Sequence, residues 1–86
     1  MSMQGKRVDL IEQQGGFQLL NAGEYGKWKD GTWYVETPNG CGVSLAVYEV
    51  VEYEDGTITV TPSILVSNRD GDLWHGYLTK GVWNEY

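Results

Sequence analysis

Five dipeptides ending in glycine punctuate the chain: Asp30-Gly31, Asn39-Gly40, Asp55-Gly56, Asp70-Gly71 and Lys80-Gly81, at intervals of 9, 16, 15 and 10 residues. Asp-Gly and Asn-Gly supply the positive φ angles that tight hairpin turns demand, because glycine has no Cβ to clash and Asp or Asn tolerates the left-handed region. Each pair predicts a chain reversal. Five reversals predict an antiparallel meander, with no room between them for long helices.

Between the turns, apolar residues recur with period two. In "TWYVET", Trp33, Val35 and Thr37 share one face and Tyr34 and Glu36 the other. In "GVSLAVYEVVEY", read as one run, Val43, Leu45, Val47, Val51 and Tyr53 lie on one side, with Ser44, Ala46, Tyr48 and Glu52 opposite. "TITVT" alternates Ile58 and Val60 with threonines, the pattern of a strand with one wet face, and "VVEYEDGTITV" reads as a hairpin. Pro62 lacks an N–H and must end a strand or lie at an edge or bulge, after which Ile64 to Val66 can resume pairing. "VDLIEQQ" fits a short helix or a strand, Gly15-Gly16 ends either, and "FQLL" reads as a strand. The expected fold is a single all-β domain over residues 1–86: a small antiparallel meander sheet or open barrel of five to seven strands, with room for one short N-terminal helix.

Composition agrees. Twelve glycines, four tryptophans and six tyrosines against two prolines describe a chain that turns often and packs flat side chains between turns. The formal charge of −6 is uneven: residues 1–43 carry net −1 and residues 44–86 net −5. Such a surface repels phosphate backbones and anionic lipid, so direct nucleic-acid and membrane binding are disfavoured. Acidic residues Glu49, Glu52, Glu54 and Asp55 crowd one predicted turn, where charge guards against edge pairing. Small β domains with free edges often pair, so a homodimer is an open option. Cys41 is the only cysteine, which excludes a disulfide framework, and no apolar run reaches signal-peptide or membrane-span length. A reducing, cytoplasmic setting is the expectation.

The chemistry-bearing candidates are few. His75, the only histidine, lies in "LWHGYL", where a strand would put it on the face of Leu73 and Tyr77, opposite Trp74 and Leu78. Ser63 follows Pro62 at a break in the strand pattern. As nucleophile it would need His75 as base, and a spacing of twelve residues lets adjacent strands bring the two together, with Asp70 or Asp72 to orient the imidazole. Cys41, flanked by Gly40 and Gly42, offers an accessible thiol and, with His75, only half of a zinc site. "SNRDGDL" places Asn68, Asp70 and Asp72 at alternate positions, but Leu73 and Thr79 stand where a calcium loop needs glycine and glutamate. No cofactor or metal is expected. Trp28, Trp33, Tyr34, Trp74, Tyr77 and Trp83 form an aromatic set that is mainly core, any exposed member of which would serve binding.

Taken in order, "TPNGCGVSL", "TPSI" and "LWHGYLTKGVW" resemble a family of small, uncharacterised phage and prophage proteins, over about residues 33–83. Members are sometimes labelled ammonia monooxygenase, and longer relatives lie beside bacterial ubiquitin-like conjugation genes with a suggested peptidase role. The resemblance directs attention to Pro38, Asn39, Gly40, Gly42, Pro62, Ser63, Trp74, His75 and Gly76. Its cysteines are not carried over: Thr37 stands at one such position and none precedes Trp74. With the charge asymmetry, the aromatic surplus and the missing metal ligands, the leading expectation is a phage or prophage accessory protein that binds a component of its bacterial host through an acidic and aromatic surface, with Asn39, Gly40, Cys41, Trp74, Gly76 and Tyr77 as candidate binding residues. The alternative is a small peptidase-like hydrolase using Ser63 and His75.

Overall fold

The structure, a computed structural model, describes residues 2–86 and contains no helix among them. Twelve strand segments follow one another: β1 (Ser2–Gln4), β2 (Lys6–Arg7), β3 (Glu12–Gln13), β4 (Gly16–Phe17), β5 (Glu24–Lys27), β6 (Trp33–Glu36), β7 (Gly42–Ser44), β8 (Glu49–Glu52), β9 (Ile58–Thr61), β10 (Ile64–Asn68), β11 (Gly71–Thr79) and β12 (Val82–Glu85). They form two four-stranded sheets, β1-β12-β11-β10 and β2-β5-β6-β7, and two separate hairpins, β3-β4 and β8-β9. None is a closed barrel. The fold is all-β, as the turn spacing predicts.

All five glycine pairs fall at hairpin reversals. The tightest joins β11 to β12, where Lys80 (φ 47°) and Gly81 (φ 79°) both take positive φ, the requirement of a two-residue loop. At Asp55-Gly56 the Asp55 carboxylate accepts from Thr57 N at 3.0 Å and Thr57 Oγ1 at 2.7 Å, fixing the β8-β9 turn and holding its own pKa below the usual range, chiefly through the hydroxyl.

Three features depart from expectation, and each has a local cause. The run from Gly42 to Tyr53 is two strands, because a turn closed by Tyr48 N donating to Leu45 O at 3.0 Å leaves Val47 92% exposed at its tip. Ala46 and Val47 carry no turn chemistry, so alternation alone extends the strand through them. The N-terminal helix does not form, since Gly15 and Gly16 take positive φ and fold β3 back on β4, with Glu12 opposite Phe17. Finally, β2 pairs with β5 in parallel, Lys6 opposite Glu24, so one sheet is mixed. These short pieces raise the strand count above the five to seven expected.

The two sheets and the β8-β9 hairpin close on one core. Tyr25, Val35, Ile58, Ile64, Leu78 and Trp83 are each at most 1% exposed, and burying side chains of this size stabilises by about 1.5–3 kcal/mol apiece. Trp83 also donates its indole N–H to Gly23 O at 2.9 Å, tying β12 to the loop before β5. Among the described residues no buried side-chain polar atom lacks a partner. Arg7 packs over the Trp33 ring at 5.0 Å and bonds Glu52 at 2.6 Å, and that bond lowers the Glu52 pKa. Among the described residues no helix is long and apolar enough to cross a membrane.

Candidate functional site

Strand β11 carries the site. Period-two alternation sends Trp74, Gly76 and Leu78 inward, while Leu73, His75 and Tyr77 face out. The inward residues account for half of the Trp-His-Gly-Tyr motif. Trp74 lays its ring over Gly76, two positions along on the same face, and packs edge-on against Trp83 at 5.4 Å. A Cβ at position 76 would meet Trp74 Cη2 at 2.5 Å and Asn84 O at 2.4 Å, so only glycine leaves the indole its seat. Trp74 is 4% exposed, and it and Gly76, expected at a binding surface, are packing residues behind it.

On the outer face, Ser63 Oγ and His75 Nε2 are hydrogen-bonded at 2.9 Å, the donor depending on the imidazole tautomer. The pairing follows from register: Ile64 lies opposite Gly76 and Leu65 opposite His75, so the residue just before β10 arrives beside the imidazole. Pro62 closes β9 at Thr61 and releases the chain into β10, which is how two segments twelve residues apart become neighbours. Tyr86 covers the imidazole on its other flank, stacked at 4.4 Å with an interplanar angle of 11°, and its N–H donates to His75 O at 2.7 Å. Tyr77 approaches Tyr86 at 5.8 Å.

Neither Asp70 nor Asp72 hydrogen-bonds His75, so the expected orienting carboxylate is missing from the Ser63–His75 pair. Asp70 sits in the β10-β11 turn, where its N–H donates to Asn68 Oδ1, and Asp72 lies opposite Ser67. What fixes the ring is an aromatic stack. Three grooves of about 260 to 320 Å³ indent the surface: one apolar around Phe17 and Leu20, one around Met3, Pro38 and Trp83 into which an edge of Trp74 also opens, one around Lys27 and Tyr48. None is lined by Ser63 or His75.

The Pro-Asn-Gly turn joins β11 by another route. Thr37 is fully buried and its hydroxyl donates to Asn39 Oδ1 while accepting from Cys41 N at 3.0 Å. With its carbonyl held, Asn39 aims its amide outward and donates from Nδ2 to Leu73 O at 3.1 Å. Leu73 is the residue that a bulge leaves without a partner: Val66 pairs with Trp74 and Ser67 with Asp72. The unpaired residue of the bulge thus gains a side-chain partner. Asn39 reaches β11, whereas Gly40 and Cys41 stay within the turn, Cys41 half-buried with its main chain paired to Thr37. Thr37 does by hydroxyl what holds this turn together. No group of three or more His, Cys, Asp or Glu able to hold a metal occurs among the described residues.

The sequence places Leu73 and Tyr77 on the face of His75 but does not reveal two other members of that outer face, Leu65 and Tyr86. Leu65, Leu73 and Tyr77 are 42–48% exposed and Tyr86 is 78% exposed, so with His75 they form a contiguous apolar and aromatic surface across β10, β11 and the end of β12. The signal was available in part, since Leu73 and Tyr77 share His75's parity. Leu65 and Tyr86 require the strand pairing to be known. No family model, no curated protein and no solved structure matches the chain.

Proposed function

We propose that the chain is a binding module, a phage or prophage accessory protein that docks a protein of its bacterial host on the outer face of β10, β11 and the end of β12, in the host cytoplasm. The observation that carries this reading is the clustered exposure of Leu65, Leu73, Tyr77 and Tyr86 around His75. Scattered single apolar residues on a surface are ordinary, but a contiguous patch rich in aromatics is the composition of a protein interface. The net charge of −6 supports a protein partner over nucleic acid or membrane. Phage origin and a host partner rest on the likeness in the Pro-Asn-Gly, Pro-Ser-Ile and Trp-His-Gly-Tyr motifs.

The test is affinity capture from bacterial lysate with the wild type and with a Leu65→Ser, Tyr77→Thr, Tyr86→Ser protein of matched circular dichroism. The reading expects a discrete partner that free wild type competes away and the triple variant does not retain. Equal capture by both proteins contradicts it.

The hydrogen bond between Ser63 and His75 favours a second reading, a small peptidase-like hydrolase in which His75 Nε2 takes the Ser63 proton as Oγ attacks a carbonyl. Against it stand the stacked tyrosine in place of an orienting carboxylate and the position of the pair outside the three grooves described above. Incubation with a fluorophosphonate separates the two. A binding module leaves Ser63 unlabelled, and a hydrolase gives an adduct that Ser63→Ala and His75→Ala both abolish.

A further inference from the structure

Strand β10 is hydrogen-bonded on one side only, to β11. Which of its main-chain groups are free follows from one bond: Tyr86 N donates to His75 O, so the main chain of His75 faces β12, and Trp74 and Gly76 face β10. Their partners Val66 and Ile64 therefore point their N–H and C=O groups inward to the sheet, and Leu65 points its own outward. The bulge that follows consumes an extra residue of β11, Leu73, so β10 itself stays regular and Ser67 continues the outward row.

The other edges are guarded or short. Strand β8 carries Glu49 and Glu52 at its ends, the free side of β9 meets the β11-β12 turn, where Gly81 N donates to Ile58 O at 3.0 Å, β2, β3 and β4 have two residues each, and β1 and β7 have three. From Ser63 to Asn68 the chain is Ser-Ile-Leu-Val-Ser-Asn, without charge and without proline. An uncharged, regular edge of this kind is a template for another strand.

We propose that β10 pairs antiparallel with β10 of a second copy of this chain, about a two-fold axis at Leu65, joining the two C-terminal sheets into one. In that register Leu65 exchanges a pair of main-chain bonds with the partner's Leu65, and Ser63 lies beside the partner's Ser67. Arg69 lies beside the partner's Thr61, so no like charges meet. Self-pairing at β8 would crowd Glu49 and Glu52 of both copies along one seam. Charge, length and cover thus leave β10 as the edge open to a second copy. The interface is small, so the dimer is weak, with Kd on the order of tens of micromolar. Because each copy carries −6 overall, added salt screens their repulsion and tightens the dimer. A basic partner at this edge would show the opposite salt dependence. The inference does not depend on the docking face, of which Leu65 alone lies at the seam while Leu73, His75, Tyr77 and Tyr86 stay away from it.

The experiment is sedimentation equilibrium from micromolar to millimolar protein at low and moderate salt, with amide hydrogen exchange at both ends of the range. The expected result is a monomer–dimer equilibrium strengthened by salt, with the Leu65 and Ser67 amides slowing at high concentration and the Val66 amide unchanged. Leu65→Lys, at an exposed position, should weaken association at least about tenfold. Val51→Lys, equally exposed on β8, should leave it as in the wild type. A monomer throughout, or a dimer that Leu65→Lys does not weaken and in which the Leu65 amide exchanges at one rate, overturns the proposal.

Discussion

Trp74 and His75 are adjacent in the chain and occupy opposite worlds. Trp74 is wedged over Gly76 and against Trp83, inside a core where every neighbour is fixed by packing. His75 lies on the outside, held by a serine just before β10 and a tyrosine just after β12. A conspicuous four-residue motif therefore divides by parity: Trp and Gly serve stability, His and Tyr serve the surface. Treating the four as one site conflates two physical roles on one strand.

This contrast can be broken at several points. The largest effect should come from the inner face: Trp74→Ala removes a buried indole and is expected to cost about 3–5 kcal/mol, measured by urea unfolding. If it cost less than its outward neighbours, the parity assignment would fail. Next comes Asn39→Ala, which strips the bulged carbonyl of Leu73 of its partner and should cost about 1–2 kcal/mol. The same assay reads it, and exchange of the β11 amides near Leu73 should quicken. Smaller again is Ser63→Ala on the outer face, expected within about 0.5 kcal/mol of wild type. Its signature is instead a change in the ring-nitrogen NMR shifts of His75, and unchanged shifts would mean that the bond is not populated.

The smallest expected effect is on pH. The carboxyls of Asp55 and Glu52 are held below their ordinary values by Thr57 and Arg7, so each binds its proton less readily folded than unfolded. Their contribution is present above the ordinary carboxylate range and is lost as pH falls through that range and below it. Both lie at the surface, where solvent screening keeps the contribution small. Asp55→Asn should flatten the acid limb of the melting-temperature profile and leave the neutral limb parallel to wild type.

The turns were legible in the sequence because Asp-Gly and Asn-Gly carry their geometry in two residues. The Ala46-Val47 turn was not, because nothing in those two side chains distinguishes a turn from a strand; buried Leu45 and the Ser44 hydroxyl, which accepts from Ala46 N at 3.4 Å, accompany it. The Ser63–His75 contact was legible as an option of spacing, and the register of β10 on β11 realised it. The missing carboxylate and the stacked tyrosine were not legible. Tyr86 meets His75 through the pairing of β11 and β12, eleven residues along the chain, and no local pattern announces that contact. Likewise Asn39 finds Leu73 only because a bulge strands that carbonyl, and a bulge leaves no mark on alternation that one sequence reveals.

Gly76 and Tyr77, neighbours on opposite faces of β11, give the most direct test of that division. Thermal unfolding of Gly76→Ala should lower the melting temperature by about 10 °C or more, because the new methyl meets a main-chain oxygen and an indole that cannot withdraw. Tyr77→Thr should move it by less than about 5 °C while binding through the outer face is lost. Equal shifts for the two, or a larger one for Tyr77→Thr, would contradict the account.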